Sequence, residues 1–287
     1  ESVELGDASI ASPFTSRSVS IKCCKDVLQQ GRCTLVTMLQ IYKILGVNCL
    51  VNATVLSKLF LHGVKNGDRQ LTILGVGVAT LFFFVTRGKP LRTLSVTRPP
   101  SSVLCVQALL SIALQFLVHM VAILLSAQAA LAFVDPYDPS MIPDGPFNPN
   151  TLNSCTFLVS AIATVNTFAI NYRGEPFMES LWQNRLLLRS LQACYVVLFG
   201  CALEVFPPLN DLLQLTEMPV LDGTEGIFVS TGSNGNASLQ PILHSFIGIV
   251  GFPTSLALLM IVDTILAFAA ERTVLHLFEP SSKKILS

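Results

Sequence analysis

The chain has 287 residues, no formal net charge, 51% hydrophobic residues and only 13% charged ones, where a soluble domain carries about 25% charged residues. Mean hydropathy is +0.61. These values exclude an ordinary soluble globule, leave no electrostatic case for binding nucleic acid, and point to an all-α membrane protein that crosses the bilayer several times.

Residues 1–20 are polar and contain no apolar core segment, so no secretory signal is visible. The chain opens on Glu1 without a methionine, and we expect it to have been cut from something longer. Residues 1–33 read as a cytoplasmic lead-in, with Ser12-Pro13-Phe14-Thr15-Ser16 as a loop. Six spans follow, at about 34–61, 68–86, 102–126, 152–171, 186–206 and 241–270, and residues 271–287 form a cytoplasmic tail. Each span approaches the roughly 20 apolar residues that a crossing helix needs. The first, Thr34–Leu61, carries Lys43, Asn48 and Asn52 inside its apolar run, which predicts the central helix of a six-helix bundle with a polar stripe turned inward. Pro253 falls inside the sixth span and predicts a kink there.

Basic residues set the orientation. They gather before the first span (Arg17, Lys22, Lys25, Arg32), between the second and third (Arg87, Lys89, Arg92, Arg98), between the fourth and fifth (Arg173, Arg185, Arg189) and after the sixth (Arg272, Lys283, Lys284). The alternate loops hold only Lys58, Lys65 and Arg69, and the segments 127–151 and 207–240 hold none. Both termini are therefore expected on the cytoplasmic side. The sequon Asn236-Ala237-Ser238 falls in a loop assigned to the lumen, which makes Asn236 a glycosylation candidate. The sequon at Asn52 lies within a span and is discounted.

No catalytic grouping is present: there is no phosphate loop, no HExxH pair, and no nucleophile beside a base. The eight cysteines read as structural, since Cys23, Cys24 and Cys33 have no second pair to complete a metal site. The buried polar residues are the remaining candidates. Lys43, Asn48 and Asn52, spaced by five and four, read either as the lining of a substrate path or as interhelical hydrogen-bonding and snorkelling groups. Gln107, Gln115, His119, Asn166 and Asn171 read as structural polar residues between helices, and Asp263, near Glu271 and Arg272, as an ion-paired anchor at the cytoplasmic end. No acid lies between Thr34 and Gly67, and the second span begins on its only acid, Asp68. A site for a hard cation needs several oxygen ligands, usually including carboxylates. These helices therefore suit an apolar or polypeptide cargo better.

Several stretches resemble one family. Pro13-Phe14-Thr15-Ser16 followed by QGRCTLVTMLQIYKILGVNCL (Gln30–Leu50) is similar to the entry into the fifth membrane helix of type V-A P-type ATPases, the endoplasmic-reticulum transmembrane-helix dislocases. TRGKPLRTLSVTRPP (Thr86–Pro100), LQFLVH (Leu114–His119), FAINYRGEPFMESLWQNRLLLRSL (Phe168–Leu191) and the Asp263, Glu271, Arg272 spacing resemble later parts of the same membrane domain, with NYRGEPFMESL the most specific. The resemblance implies helices five to ten of a multi-pass membrane enzyme in the endoplasmic reticulum. It also implies ATP and magnesium as cofactors of the parent protein, and transmembrane segments of client proteins as cargo. The remaining implied partners are the bilayer and the rest of the ATPase: helices one to four and the phosphorylation, nucleotide-binding and actuator domains. The phosphorylated aspartate of the DKTGT motif is not in this chain, so the reading assigns it no chemistry of its own. The loops 127–151 and 207–240 match nothing in the family pattern. Two other readings stay open: the membrane domain of a cation- or polyamine-transporting P-type ATPase, and a stand-alone six-span transporter or scaffold.

Overall fold

A computed structural model describes residues 20–96, 98–100, 102–134, 138–142, 145, 147–219 and 247–278. Its helices are α1 (Lys22–Leu61), α2 (Asp68–Thr86), α3 (Val106–Leu131), α4 (Thr151–Asn171), α5 (Arg185–Ala202), α6 (Pro207–Leu212) and α7 (Phe252–Leu277). All except the short α6 are long and apolar enough to cross a membrane. The described residues contain no strand, only one isolated bridge between Pro90 and Met178. The protein is thus an all-α bundle of six candidate spans. Its outer surface carries large apolar side chains such as Phe60, Val76, Val196 and Ile265. Apolar exposure on that scale is stable against lipid and a liability in water.

The helix at the centre is α4, a correction to the expectation that Thr34–Leu61 would be. In its most apolar 18-residue window α4 is 94% buried, against 33% for α1. It packs against α1, α3, α5, α7 and α2. The physical reason lies in side-chain size. Within α4, Ser154, Thr156, Ser160, Ala161, Ala163, Thr164 and Thr167 are all buried. Small residues let neighbouring backbones approach closely where no hydrophobic drive separates helix from lipid. The hydroxyls of Thr156, Ser160, Thr164 and Thr167 donate to carbonyls three or four residues back, so they add no unpaired group.

At 40 residues, α1 is about 60 Å long, twice the roughly 30 Å hydrocarbon core. Its first turns are strapped to the connection between α2 and α3. Gln29 donates to the Arg92 carbonyl and Arg32 to the Ser95 carbonyl, each at 2.5 Å. The Cys33 thiol sits 3.6 Å from the Gly88 carbonyl. The same connection pairs with the α4–α5 loop, where the Glu179 amide donates to the Lys89 carbonyl at 2.9 Å. That loop is the NYRGEPFMESL segment. A Cβ at Gly174 would run into the Glu179 carbonyl and the Ser180 backbone, so the turn closes only around glycine. The Tyr172 hydroxyl donates to the Glu179 carbonyl at 3.1 Å, and burial pushes its pKa above the usual tyrosine value.

At the sixth span no kink forms at Pro253. Gly251, with φ +88°, separates a helical turn at 247–250 from α7, and Pro253 lies in the first turn of α7. There its missing N–H has no helical partner to lose. Asn236, Ser12–Ser16 and the end of the tail lie outside the described residues.

Candidate functional site

The buried polar side chains form two layers across the bundle. In the first, Lys43 Nζ of α1 lies 2.9 Å from Glu271 Oε1 of α7. The other carboxylate oxygen, Oε2, accepts from Ser111 Oγ and, at 2.9 Å, from Gln115 Nε2, both on α3. Gln115 and Asn171 of α4 form a reciprocal amide pair: Gln115 Nε2 donates to Asn171 Oδ1 at 3.1 Å, and Asn171 Nδ2 donates to Gln115 Oε1 at 2.9 Å. This layer joins α1, α3, α4 and α7.

The second layer is eight residues deeper along α7, about 12 Å at 1.5 Å per residue. His119 Nδ1 lies 2.8 Å from Asp263 Oδ1 and 3.0 Å from Oδ2. Asn166 Nδ2 donates to Asp263 Oδ2 at 3.1 Å and to Thr264 Oγ1 at 3.0 Å. The Tyr195 hydroxyl of α5 donates to Asn166 Oδ1 at 2.7 Å. His119 and Asn166 are fully buried and Asp263 nearly so. This layer joins α3, α4, α5 and α7. Between the two, Thr167 Oγ1 lies 3.1 Å from the Asn48 side-chain amide and ties α1 to α4.

The layers follow from one antiparallel register. Each four-residue step along α3, from Ser111 to Gln115 to His119, is matched by a four-residue step back along α7, from Glu271 to Ala267 to Asp263. Buried Ala267 stands between the two acids. Residues four apart stack on one helix face, so both ladders meet across a single seam.

Lys43 and Asn48 turn into the bundle, but Asn52 is exposed on α1. The three do not form one stripe. Nine residues are two and a half helical turns, which puts Asn52 opposite Lys43. Asp263 is not an anchor at the cytoplasmic end beside Glu271 and Arg272. Its eight-residue separation from Glu271 sets it deep in the second layer, against His119. Gln115, His119 and Asn166 all belong to the layers. Ser111, Thr167, Tyr195 and Thr264 join them without having been singled out from the sequence, and the four-residue ladder on α3 was the available signal for Ser111.

Chemically, both carboxylates have donors from the chain itself. Each layer ties four helices together through side-chain contacts. Among the described residues, no three of His, Cys, Asp and Glu come together in a way that could hold a metal ion.

A six-helix membrane bundle braced by an ionic and amide ladder defines a polytopic helical membrane domain. No family model matches the chain. Against known proteins it is 43% identical over 217 residues, 76% of its length, to the Arabidopsis thaliana protein named Probable manganese-transporting ATPase PDR2. It is 39% identical over 213 residues, 74% of its length, to Endoplasmic reticulum transmembrane helix translocase spfA of Aspergillus fumigatus. To the Endoplasmic reticulum transmembrane helix translocase of Saccharomyces cerevisiae it is 38% identical over 216 residues, 75% of its length. Proteins named as polyamine-transporting ATPases match at lower identity. The chain belongs to the type V-A P-type ATPases. The matched region makes up 18%, 16% and 18% of those three relatives, so the chain spans less than a fifth of their length.

Proposed function

We propose that this chain is part of the membrane domain of an ATP-driven P-type ATPase that removes or flips mis-inserted transmembrane helices in the endoplasmic reticulum. In this reading ATP and magnesium serve the parent protein's phosphorylation chemistry, both ends of the chain face the cytoplasm, and the cargo is a transmembrane segment of a client protein. One observation carries the reading: the two acids of α7, Asp263 and Glu271, are buried within the bundle and already have protein donors, and Glu271 has a protein cation. A carboxylate so engaged is a poor ligand for a transported hard cation. The helix-translocase relatives at 38–39% identity support the same class of cargo.

The cargo path is proposed along the outward face of α1 and the neighbouring α2. Asn52 is exposed there, and Gly75 and Gly77 on α2 have nothing within 4 Å of where a Cβ would sit. Lys43 and Asn48 would hold the inner wall of that path in place. A photo-crosslinking amino acid at position 52 of the full-length protein in reticulum membranes is expected to capture a moderately apolar client segment. The same probe at Val196, exposed on α5, is expected to capture none. Equal capture from both positions, or none from position 52, would contradict the path.

Manganese or polyamine transport is the second reading, favoured by the name of the Arabidopsis relative and by the more distant polyamine-transporting ATPases.

A further inference from the structure

A carboxylate framed by hydroxyl and amide groups is a natural place for a small cation. In the first polar layer that cation is supplied by the chain. Lys43 Nζ lies 2.9 Å from Glu271 Oε1, with the two side chains 15% and 6% exposed. The frame around Glu271 does not depend on Lys43. Its other oxygen is held by Ser111 Oγ and Gln115 Nε2, and Gln115 is in turn locked by its amide pair with Asn171. Three helices therefore fix the carboxylate, and a fourth delivers the ammonium on a flexible stem. Stability alone does not call for this design, because a buried ion pair can often be replaced by apolar residues at little or no loss.

We propose that Lys43 is a tethered counter-cation: its ammonium permanently fills the cation place of a site built by Glu271, Ser111 and Gln115, and so denies that site to free cations. The latent ligand class is a small primary ammonium or a monovalent metal ion, because one carboxylate would leave a buried divalent ion with an uncompensated positive charge. The claim deepens the proposed function, since it rests on that reading for its consequence, exclusion of cation cargo. The latent site itself stands on geometry alone.

The test is chemical rescue in the full-length protein reconstituted in nanodiscs. Lys43→Ala and Lys43→Gln are compared with wild type and with the double variant Lys43→Ala, Glu271→Gln. Ethylammonium and potassium are the probes. Tetramethylammonium, a cation without N–H donors, controls for ionic strength. The expected result is a lowered melting temperature in the single variants that rises saturably with ethylammonium, as linkage to a ligand of the folded state requires. Wild type and the double variant should not respond. Absence of a saturable response in both single variants would overturn the proposal, as would a response that survives in the double variant. If a single variant can be purified only with ethylammonium present, the proposal is supported; if neither folds even then, it is overturned. A wild-type protein stabilised by manganese or spermine would instead count against the dislocase reading, so the two failures are distinguishable.

Discussion

Glu271→Ala in the full-length protein is expected to lower the stability of the membrane domain by about 3–5 kcal/mol, the range for removing one partner of a buried ion pair. The loss comes less from the vanished attraction than from what stays behind. The Lys43 ammonium, with its side chain only 15% exposed, loses its counter-charge, and Ser111 and Gln115 lose an acceptor. Glu271→Gln keeps an acceptor in place and should cost less. Combining it with Lys43→Ala removes both charges together and should recover most of the difference. Thermal unfolding in nanodiscs reads all three. An alanine variant within about 0.5 kcal/mol of wild type, the scatter of an ordinary surface change, would mean that the first layer bears no load.

Asp263→Ala is expected to be nearly as damaging, at about 3 kcal/mol, because it strands buried donors at roughly 1–3 kcal/mol apiece. His119 Nε2 already has no partner among the described residues. Without Asp263 the fully buried imidazole loses its Nδ1 contact as well, and Asn166 loses one of its two acceptors. A single interhelical hydrogen bond in a membrane is worth only about 0.6 kcal/mol on average. Asn166→Ala strands the neutral Tyr195 hydroxyl but leaves the His119–Asp263 contact intact, and should therefore cost less than Asp263→Ala. The same unfolding assay ranks the two, and equal losses would argue against a His119-centred second layer.

Much of this architecture is legible in the sequence, for a simple reason. A run of about 20 apolar residues has few stable fates other than a membrane helix. The spans and the all-α class follow from that. The centre of the bundle was less readable. Lys43 points to α1, because a charge within an apolar run signals an inward face. The core helix α4 carries no charge at all. Its signal is a recurrence of Ser, Thr and Ala, which raises no hydropathy peak and matters only once neighbours pack on it. Asn52 leaves the stripe of Lys43 and Asn48 for a geometric reason, since nine residues rotate it to the opposite side of the helix. The sequence sets Asp263 beside Glu271 and Arg272, although its partners His119 and Asn166 are 144 and 97 positions away. Pairing across helices depends on which seams meet, and one chain's periodicity leaves that open. Even so, the matched four-residue ladders on α3 and α7 would have been a fair guide.

The two layers also bear on how motion could cross the bundle. Through its first turns α1 is strapped to the α2–α3 connection, and through Lys43 and Asn48 it is bonded to α7 and α4. A displacement of its protruding end would therefore load both the α4–α5 loop and the first polar layer. Under the proposed function, α1 would be the helix that links the ATP-driven domain to the membrane path.

The most direct test of the central claim is ATP turnover by the purified full-length protein in nanodiscs, with magnesium present and one candidate cargo added at a time. A synthetic, moderately apolar transmembrane peptide is expected to stimulate turnover saturably, while manganese and spermine leave it unchanged. Stimulation by manganese or spermine, with none by the peptide, would contradict the account and assign this membrane domain to cation transport.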